Sequence, residues 1–266
     1  MPIDRKAIPS QRANISDQWI PAFFAETQKV LARHYKQAIE VIVDEGISTL
    51  RHETRPRMVD EIKDATRLFY YAMAQDGYDL AGLEVGDINR TGGKSLQFGK
   101  AIPDIDPALM SLRVRRSVDA FLKETAPNIS ATMIKHISKK YEKLRADDRV
   151  LTGREIAREL EDHFSDMDRT QAERIVRSGT IWSYNDGAVE RYQEAGITEK
   201  QWYTTDDDLL CDFCEPMDGR TITVKGEYFE KGQSIPQKEG PPMQAMFSVG
   251  HPPLHPNCRC AIIPVV

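Results

Sequence analysis

The sequence predicts an α+β protein, with a mostly helical N-terminal region followed by a small β-containing C-terminal module. Three observations predict it. From Asp17 to Ala195, outside a glycine-rich stretch between 76 and 106, apolar residues recur at three-and-four spacing, the period of amphipathic helices. Past Gly196 that spacing gives way to short aromatic and β-branched runs separated by turns, the usage of strands. All four cysteines of the 266-residue chain lie between positions 211 and 260, which marks that end as a separate module.

Composition bounds the function. A net charge of −5 and a pI near 5.8 argue against a protein that binds nucleic acid by bulk charge. Charged residues are 29% of the chain and aromatics 8%, and mean hydropathy is −0.50. No run approaches the roughly 18 to 20 apolar residues of a membrane span, so no membrane association is expected. The start, Met1 to Ala7, is followed by no apolar stretch of signal-peptide length, which implies a reducing compartment and disfavours disulfides. The length suits one large or two ordinary domains.

Residues 1–16, with Pro2 and Pro9, read as a loose arm, and residues 17–148 as a helical region. Trp19, Ile20, Phe23, Phe24, Leu31, Ala38, Ile42, Ile47 and Leu50 share one face of a long first helix, with Pro21 tolerated in its first turn. After Pro56, a second helix places Val59, Ile62, Ala65, Leu68, Phe69, Ala72 and Met73 together, and the adjacent Tyr70 and Tyr71 read as helix packing rather than base stacking. Between 76 and 106 glycines accumulate and the period fails, which predicts a loop. Its Gly92-Gly93-Lys94-Ser95 run is not a phosphate loop, because Ile88 stands where the motif needs its first glycine.

From Pro107 the helical period returns in two segments, Leu109 to Leu122 and Ile129 to Leu144, separated by Ala126-Pro127-Asn128. Their outer faces are basic: Arg113, Arg115, Arg116 and Lys123, then Lys135, His136, Lys139, Lys140, Lys143 and Arg145. A solvated face is the simpler reading of such residues, with a phosphate-contacting surface as the alternative. Thr152 and Glu155 form a capping box ahead of Ile156, Leu160 and Phe164. A further helix, Asp168 to Ala195, carries Ala172, Ile175, Val176, Ile181, Tyr184, Ala188 and Tyr192 inward and ends on Gly196. The acidic group from Ser165 to Asp168 lacks the glycine and distal glutamate of a calcium loop and reads as capping. Residues 149–266 form the second domain, with strands expected at Gln201–Thr205, Thr221–Val224 and Cys260–Ile263 and a hairpin turn at Met217–Arg220.

The cysteines set the chemistry. A Cys-x-x-Cys pair at Cys211 and Cys214 can place two sulfurs on one divalent ion, and a returning segment then completes a tetrahedron and staples the module, residues 200–264. That segment offers His255, Cys258 and Cys260 for two positions. Cys258 and Cys260 point to opposite sides of a regular strand, whereas His255 and Cys258 are joined by a Pro-Asn turn. The expected structural Zn2+ ligands are therefore Cys211, Cys214, His255 and Cys258, with Cys260 as the alternative to His255. Free or disulfide-bonded thiols are the lesser alternative. A redox Cys-x-x-Cys is disfavoured because Cys214 leads into a turn, and the open-zinc catalytic motifs are missing. Asp206, Asp207 and Asp208 point to different sides of an extended chain and read as solvated or capping residues.

These residues also resemble a known family. Arg174 to Gly179, Asn185-Asp186-Gly187, Trp202, Asp206, Cys211, Cys214, Met217-Asp218-Gly219 and the stretch from Pro252 to Cys260 are similar to the C-terminal domain of phage minor head proteins related to protein F of phage Mu. The family commonly has Arg-Thr-Glu where this chain has Arg177, Ser178 and Gly179. The resemblance implies a non-enzymatic, structural minor head protein inside the capsid of a tailed phage or prophage, made in the host cytoplasm. Its implied partners are the portal protein, scaffold and major capsid protein, with non-specific contact to double-stranded DNA during packaging or ejection. Two competing readings are a phage-borne metal-dependent nuclease or toxin-type enzyme, and a zinc-containing DNA-binding protein. The first is weakened by the lack of a second His-Asn-His element, the second by the acidic balance.

Overall fold

The computed structural model describes residues 7–45, 49, 55–85, 108, 110, 112–146, 151–204, 210–256 and 258–265. The Gly92–Ser95 turn, the rest of the expected glycine loop beyond 85, and Asp206 to Asp208 lie outside the described residues. Among the described residues the chain forms four long helices, α1 (Ala7–Asp44), α2 (Arg55–Glu84), α3 (Leu112–Arg145) and α4 (Gly153–Glu194). Five short strands follow: β1 (Glu199–Tyr203), β2 (Thr221–Thr223), β3 (Ser234–Ile235), β4 (Met243–Gln244) and β5 (Ala261–Val265). The chain divides into two compact units, one of Met1–Ala22, Phe69–Val118 and Arg174–Val266, the other of Phe23–Leu68 and Asp119–Glu173.

The helices are longer and fewer than the sequence predicts. α1 begins at Ala7, so residues 7–16 are helix rather than a loose arm, and Pro21 lies inside it. Pro127 likewise lies inside a single α3, and α4 runs unbroken through Ser165 to Asp168. The reason is phase. In α3, Val114, Val118, Leu122, Ala126, Ser130, Ile134 and Ser138 are buried at four-residue steps across the proline, so one helix buries both segments on a common stripe. Pro127 has no N–H for the Lys123 carbonyl. Nearby carbonyls are taken up by side chains: Thr125 Oγ1 donates to Phe121 at 2.8 Å and Asn128 Nδ2 to Glu124 at 3.1 Å. In α4 the stripe Ile156, Leu160, Phe164, Ala172, Val176, Thr180, Tyr184, Ala188 and Tyr192 is buried on the same step.

The ends of α4 follow the sequence. Glu155 Oε2 accepts the Thr152 backbone N–H and hydroxyl, both at 2.7 Å, and the Glu155 N–H reaches back to Thr152 Oγ1 at 3.3 Å. The Thr152 N–H, then its hydroxyl, hold the Glu155 carboxyl below its ordinary pKa. At the other end Gly196 takes φ +76°. Its N–H bonds the Gln193 carbonyl and that of Ile197 the Tyr192 carbonyl, a Schellman closure.

In the unit of residues 23–68 and 119–173, α1 buries Phe23, Leu31, Tyr35, Ala38, Ile39 and Ile42. Tyr35 stacks on Phe164 at 5.0 Å and its hydroxyl donates to Gln171 at 3.0 Å. In the other unit, α2 continues past the point where the apolar period fails, because its glycines are contact points. A Cβ at Gly77 would stand 1.9 Å from the Tyr184 carbonyl oxygen, and one at Gly187 would stand 1.8 Å from that of Ala74. The two backbones therefore touch where only hydrogen fits. Gly179 follows the same rule: a Cβ there would meet the Tyr70 hydroxyl at 2.1 Å. The Tyr70 ring thus fills the space above residue 179. Tyr70 and Tyr71 are both buried, as the packing reading expects.

Beyond α4, β2, β1 and β5 form an antiparallel sheet in that order. Glu199 pairs with Thr223 and Gln201 with Thr221 on one side, and Trp202 pairs with Ile262 on the other. Gly219, at φ +74°, turns the chain between β1 and β2, and its N–H bonds the Trp202 carbonyl at 2.9 Å. The Gly- and Pro-rich stretch from Gly226 to Pro253 holds a ribbon, β3 against β4, extended by a bridge between Phe229 and Val249. Its inner residues, Tyr228, Phe229, Ile235, Ala245 and Val249, join Trp202, Met217 and Leu254 in one core.

Alternation on β1 buries Lys200 beside Trp202. The lysine is accommodated because Nζ donates to the Val224 carbonyl at 2.6 Å and the Gly226 carbonyl at 3.0 Å, closing the chain after β2. Burial pulls its pKa down to about 8, with Glu227 and Asp186 pulling it back up.

Two predictions follow from this packing. Replacing Gly187 with alanine drives a methyl into the α2 backbone and is expected to lower stability by on the order of 1–3 kcal/mol in urea unfolding; a neutral result would show that the helices can separate without cost. For Lys200 the folded pKa lies below the unfolded value of about 10.4, so between them the unfolded chain holds the extra proton and stability rises with pH. Between about pH 7.5 and about pH 9.5 the wild type should gain on the order of 1–2 kcal/mol relative to Lys200→Met. A difference that stays flat across that range would refute the buried charge.

Candidate metal centre

Two turns build the centre. After β1 the chain folds back at Cys211, whose carbonyl accepts the N–H groups of Cys214 at 2.9 Å and Glu215 at 3.0 Å. A single 3-10 turn, Glu215–Met217, follows with Pro216 in its first positions. This knuckle puts both sulfurs of the pair on one side. The returning segment closes in the same way, with the Cys258 N–H on the His255 carbonyl at 3.1 Å, although the ligand atoms of His255 and Cys258 fall in different groups.

The structure gathers all five candidate donors. Cys211, Cys214 and His255 form one group with ligand atoms within 4.8 Å of one another, and Cys214, Cys258 and Cys260 form another. Cys214 is common to both. His255 Nε2 lies 2.8 Å from Cys211 Sγ and 3.1 Å from Cys214 Sγ, and the Cys214 and Cys258 sulfurs are 3.7 Å apart. All four cysteines are free thiols, and Cys214, Cys258 and Cys260 are buried. The expectation that Cys258 and Cys260 must face opposite ways fails because β5 begins only at Ala261. Residues 258–260 are not strand, and both sulfurs turn to Cys214.

The donors fit zinc. Two sulfurs bound to one tetrahedral ion at ~2.3 Å stand about 3.8 Å apart, close to the separation of Cys214 and Cys258. The His255 contacts are shorter than the about 3.5 Å between N and S on a shared ion, and are hydrogen-bond distances. His255 Nδ1 stands 2.7 Å from the Pro256 carbonyl. A carbonyl only accepts, so Nδ1 carries the proton and Nε2 turns its lone pair toward the thiols. Burial opposes ionisation of Cys258, but hydrogen bonds from Cys214 and Cys260 and the nearby His255 hold its thiol well below the ordinary value. Donation to Cys258, then to Cys260, raises Cys214. A cluster that favours a thiolate in this way presents the form that binds metal.

The surroundings fix the centre in place. Trp202, fully buried, packs edge-on against Tyr228 at 5.1 Å. Arg220 lies over the Phe229 ring at 5.2 Å and donates to the Met217 sulfur at 3.1 Å. Asp218 Oδ1 accepts both the N–H and the hydroxyl of Thr204 at 2.9 Å.

Helix α4 supplies a hold that was not legible from the cysteines. Asn185 Oδ1 accepts the Ile262 N–H at 3.0 Å, while Nδ2 donates to the Ile181 carbonyl at 2.8 Å and the Cys260 carbonyl at 3.4 Å. Its amide thus acts as a short extra strand beside the segment that carries Cys258 and Cys260. Asp186 accepts the Ser117 hydroxyl at 2.8 Å and stands 3.6 Å from His251 Nε2, and Gly187 meets α2. The signal for Asn185 was present: a polar residue placed among Ile181, Tyr184 and Ala188 on an inward face.

The basic faces carry a second candidate surface. Arg113 pairs with Glu190 at 3.2 Å, whereas Lys123, Lys135, Lys139, Lys143 and Arg145 are exposed. Burial, then the positive neighbours Lys140, His136 and Lys143, lower the pKa of His163, so this part of α3 and α4 concentrates positive charge.

Fold and centre define a class: a long-helix protein that closes on a small β module around a thiol and imidazole cluster. Residues 135–263 match the family described as Phage Mu protein F like protein. Over these residues the chain is similar to phage Mu protein F-like proteins. No curated protein and no solved structure matches the chain. Among the described residues no helix is long and apolar enough to cross a membrane.

The hold by Asn185 is testable. Asn185→Leu keeps the size of the side chain but leaves the Ile262 N–H and Cys260 carbonyl unpaired, which is expected to cost about 1–3 kcal/mol and to speed hydrogen exchange at Ile262. Unchanged exchange there would mean that α4 does not hold the segment.

Proposed function

We propose that the chain is a structural, non-enzymatic minor head protein of a tailed phage or prophage, carried in the capsid interior after synthesis in the host cytoplasm. The observation that carries this reading is the family match over residues 135–263. Residues 149–266 act as the head-morphogenesis domain, with the metal-binding module at 200–264. The helices upstream supply surfaces for the portal protein, scaffold and major capsid protein. The exposed lysines of α3 support a sequence-independent contact with double-stranded DNA during packaging or ejection.

In this reading Cys211, Cys214, His255 and Cys258 hold a structural Zn2+, with Cys260 as the alternative to His255. When bound, the ion cross-links the knuckle after β1 to the segment before β5. It stabilises a module whose own core is small. Four protein ligands close the coordination sphere, which suits a staple rather than a reaction centre.

The test is mass spectrometry of purified empty and DNA-filled heads, from phage carrying the wild-type gene and from phage carrying Cys214→Ser. The wild-type chain is expected at a few copies per head, with the variant strongly depleted. Absence of the wild-type chain from both kinds of head overturns the assembly role. Normal incorporation of Cys214→Ser overturns the need for the metal.

A further inference from the structure

Cys214 belongs to two groups that share no other member. One is Cys211, Cys214 and His255, the other Cys214, Cys258 and Cys260, and within each the ligand atoms lie within 4.8 Å of one another. The groups differ in exposure. Cys211 is half-buried, whereas Cys214, Cys258 and Cys260 are buried, and all four are free thiols. A thiol exchanges with an external disulfide only where that disulfide can reach it. Cys211 is therefore the point of access, and Cys214 is the sulfur through which the buried thiols communicate with it.

The buried contact is close to bonding range. The Cys214 and Cys258 sulfurs are 3.7 Å apart, so a disulfide bond of about 2.05 Å needs an approach of about 1.6 Å. Both side chains lie outside the sheet. Cys214 leads into the turn Glu215–Met217, and Cys258 precedes β5, which starts at Ala261. Closing the gap therefore breaks no bond between strands. The two residues are 44 positions apart, so a link between them constrains far more chain than one inside the Cys-x-x-Cys pair, which favours it as the final product.

We propose that the thiols form a relay: Cys211 takes up an external small-molecule disulfide, Cys214 passes the oxidation inward, and the end product is a disulfide between Cys214 and Cys258. With oxidised glutathione the steps balance. The Cys211 sulfur bonds one glutathione sulfur as the oxidant's own S–S bond breaks, and the freed glutathione takes up the proton that Cys211 gives away. Cys214 then displaces the second glutathione, giving the Cys211 to Cys214 disulfide. Cys258 attacks Cys214 and releases Cys211 as a thiol again. In sum, Cys214 and Cys258 lose two hydrogens and the two glutathione halves gain them.

This differs from a Cys-x-x-Cys redox catalyst, whose disulfide stays within the pair. The product here joins the knuckle after β1 to the segment before β5, the same two segments that a metal would join. Its chemistry does not depend on the head-protein reading. That reading supplies the occasion, because a particle released from the cytoplasm leaves a reducing compartment.

The test uses the full chain as purified, incubated with oxidised glutathione and sampled over time. Remaining thiols are alkylated, and the peptides are mapped by mass spectrometry without reduction. The expected end state is a disulfide between Cys214 and Cys258, with Cys211 and Cys260 alkylated. In Cys211→Ser the same product forms more slowly, and in Cys258→Ser oxidation stops at the Cys211 to Cys214 disulfide. Cys260→Ser behaves as wild type.

A wild-type end state of Cys211 joined to Cys214, of Cys258 joined to Cys260, or of glutathione adducts alone overturns the relay. So does an unchanged rate in Cys211→Ser. Should a variant fail to fold, early samples of the wild type decide the point. Adducts at Cys211 that precede the final disulfide support the order of transfer, and a final disulfide with no such precursor overturns it.

Discussion

The segment from His255 to Ile262 is held from two sides, and the C-terminal module depends on that double hold. From one side the knuckle at Cys211 and Cys214 draws His255, Cys258 and Cys260 into a common cluster. From the other, the Asn185 amide bonds the backbone at Cys260 and Ile262. Neither hold alone sets the register of β5. Thiols and imidazole gather the side chains, the asparagine bonds one edge of the strand, and β1 pairs along the other. The sheet is short, and its buried cluster would be a thin core without these anchors.

The same helix that carries Asn185 makes this placement rigid. Where α4 meets α2, Gly77 and Gly187 remove side chains so that backbone meets backbone, and Tyr70 fills the space over Gly179. Tyr78 bonds Glu194, and Arg191 bonds both. Tyr192 bonds Glu84 while packing with Ala81, Ala188, Val224 and Ile262. Asn185, Asp186 and Gly187 are three consecutive residues with three different tasks: strand edge, Ser117 and His251, and helix approach. Together they form a junction between α4 and the elements around it.

The electrostatics divide in the same manner. Lys200, within the module, is neutralised as a structural problem by two carbonyls. Lys123, Lys135, Lys139 and Lys143 of α3 remain at the surface. An acidic chain can therefore present a local basic face, which bulk charge does not reveal.

The sequence by itself determined the helical first part, the capping box at Thr152, the Gly196 stop, the three strands of the sheet and the hairpin turn at Gly219, and it pointed to the five thiol and imidazole groups that the structure clusters. These are local properties, set by period, capping chemistry and ligand type within a few residues. It misjudged the helix lengths at Pro127 and Ser165 to Asp168, because a local breaker was given more weight than the phase of the apolar stripe on either side, and burial of that stripe outweighs one lost hydrogen bond. Gly77 and Gly82 misled for the same reason, their role being contact with another helix. Only the tertiary structure decided that Cys258 and Cys260 face the same sulfur, that Asn185 holds β5, and that a lysine can be buried on β1. Each of these depends on residues many positions apart meeting in space, and no local pattern carries that distance.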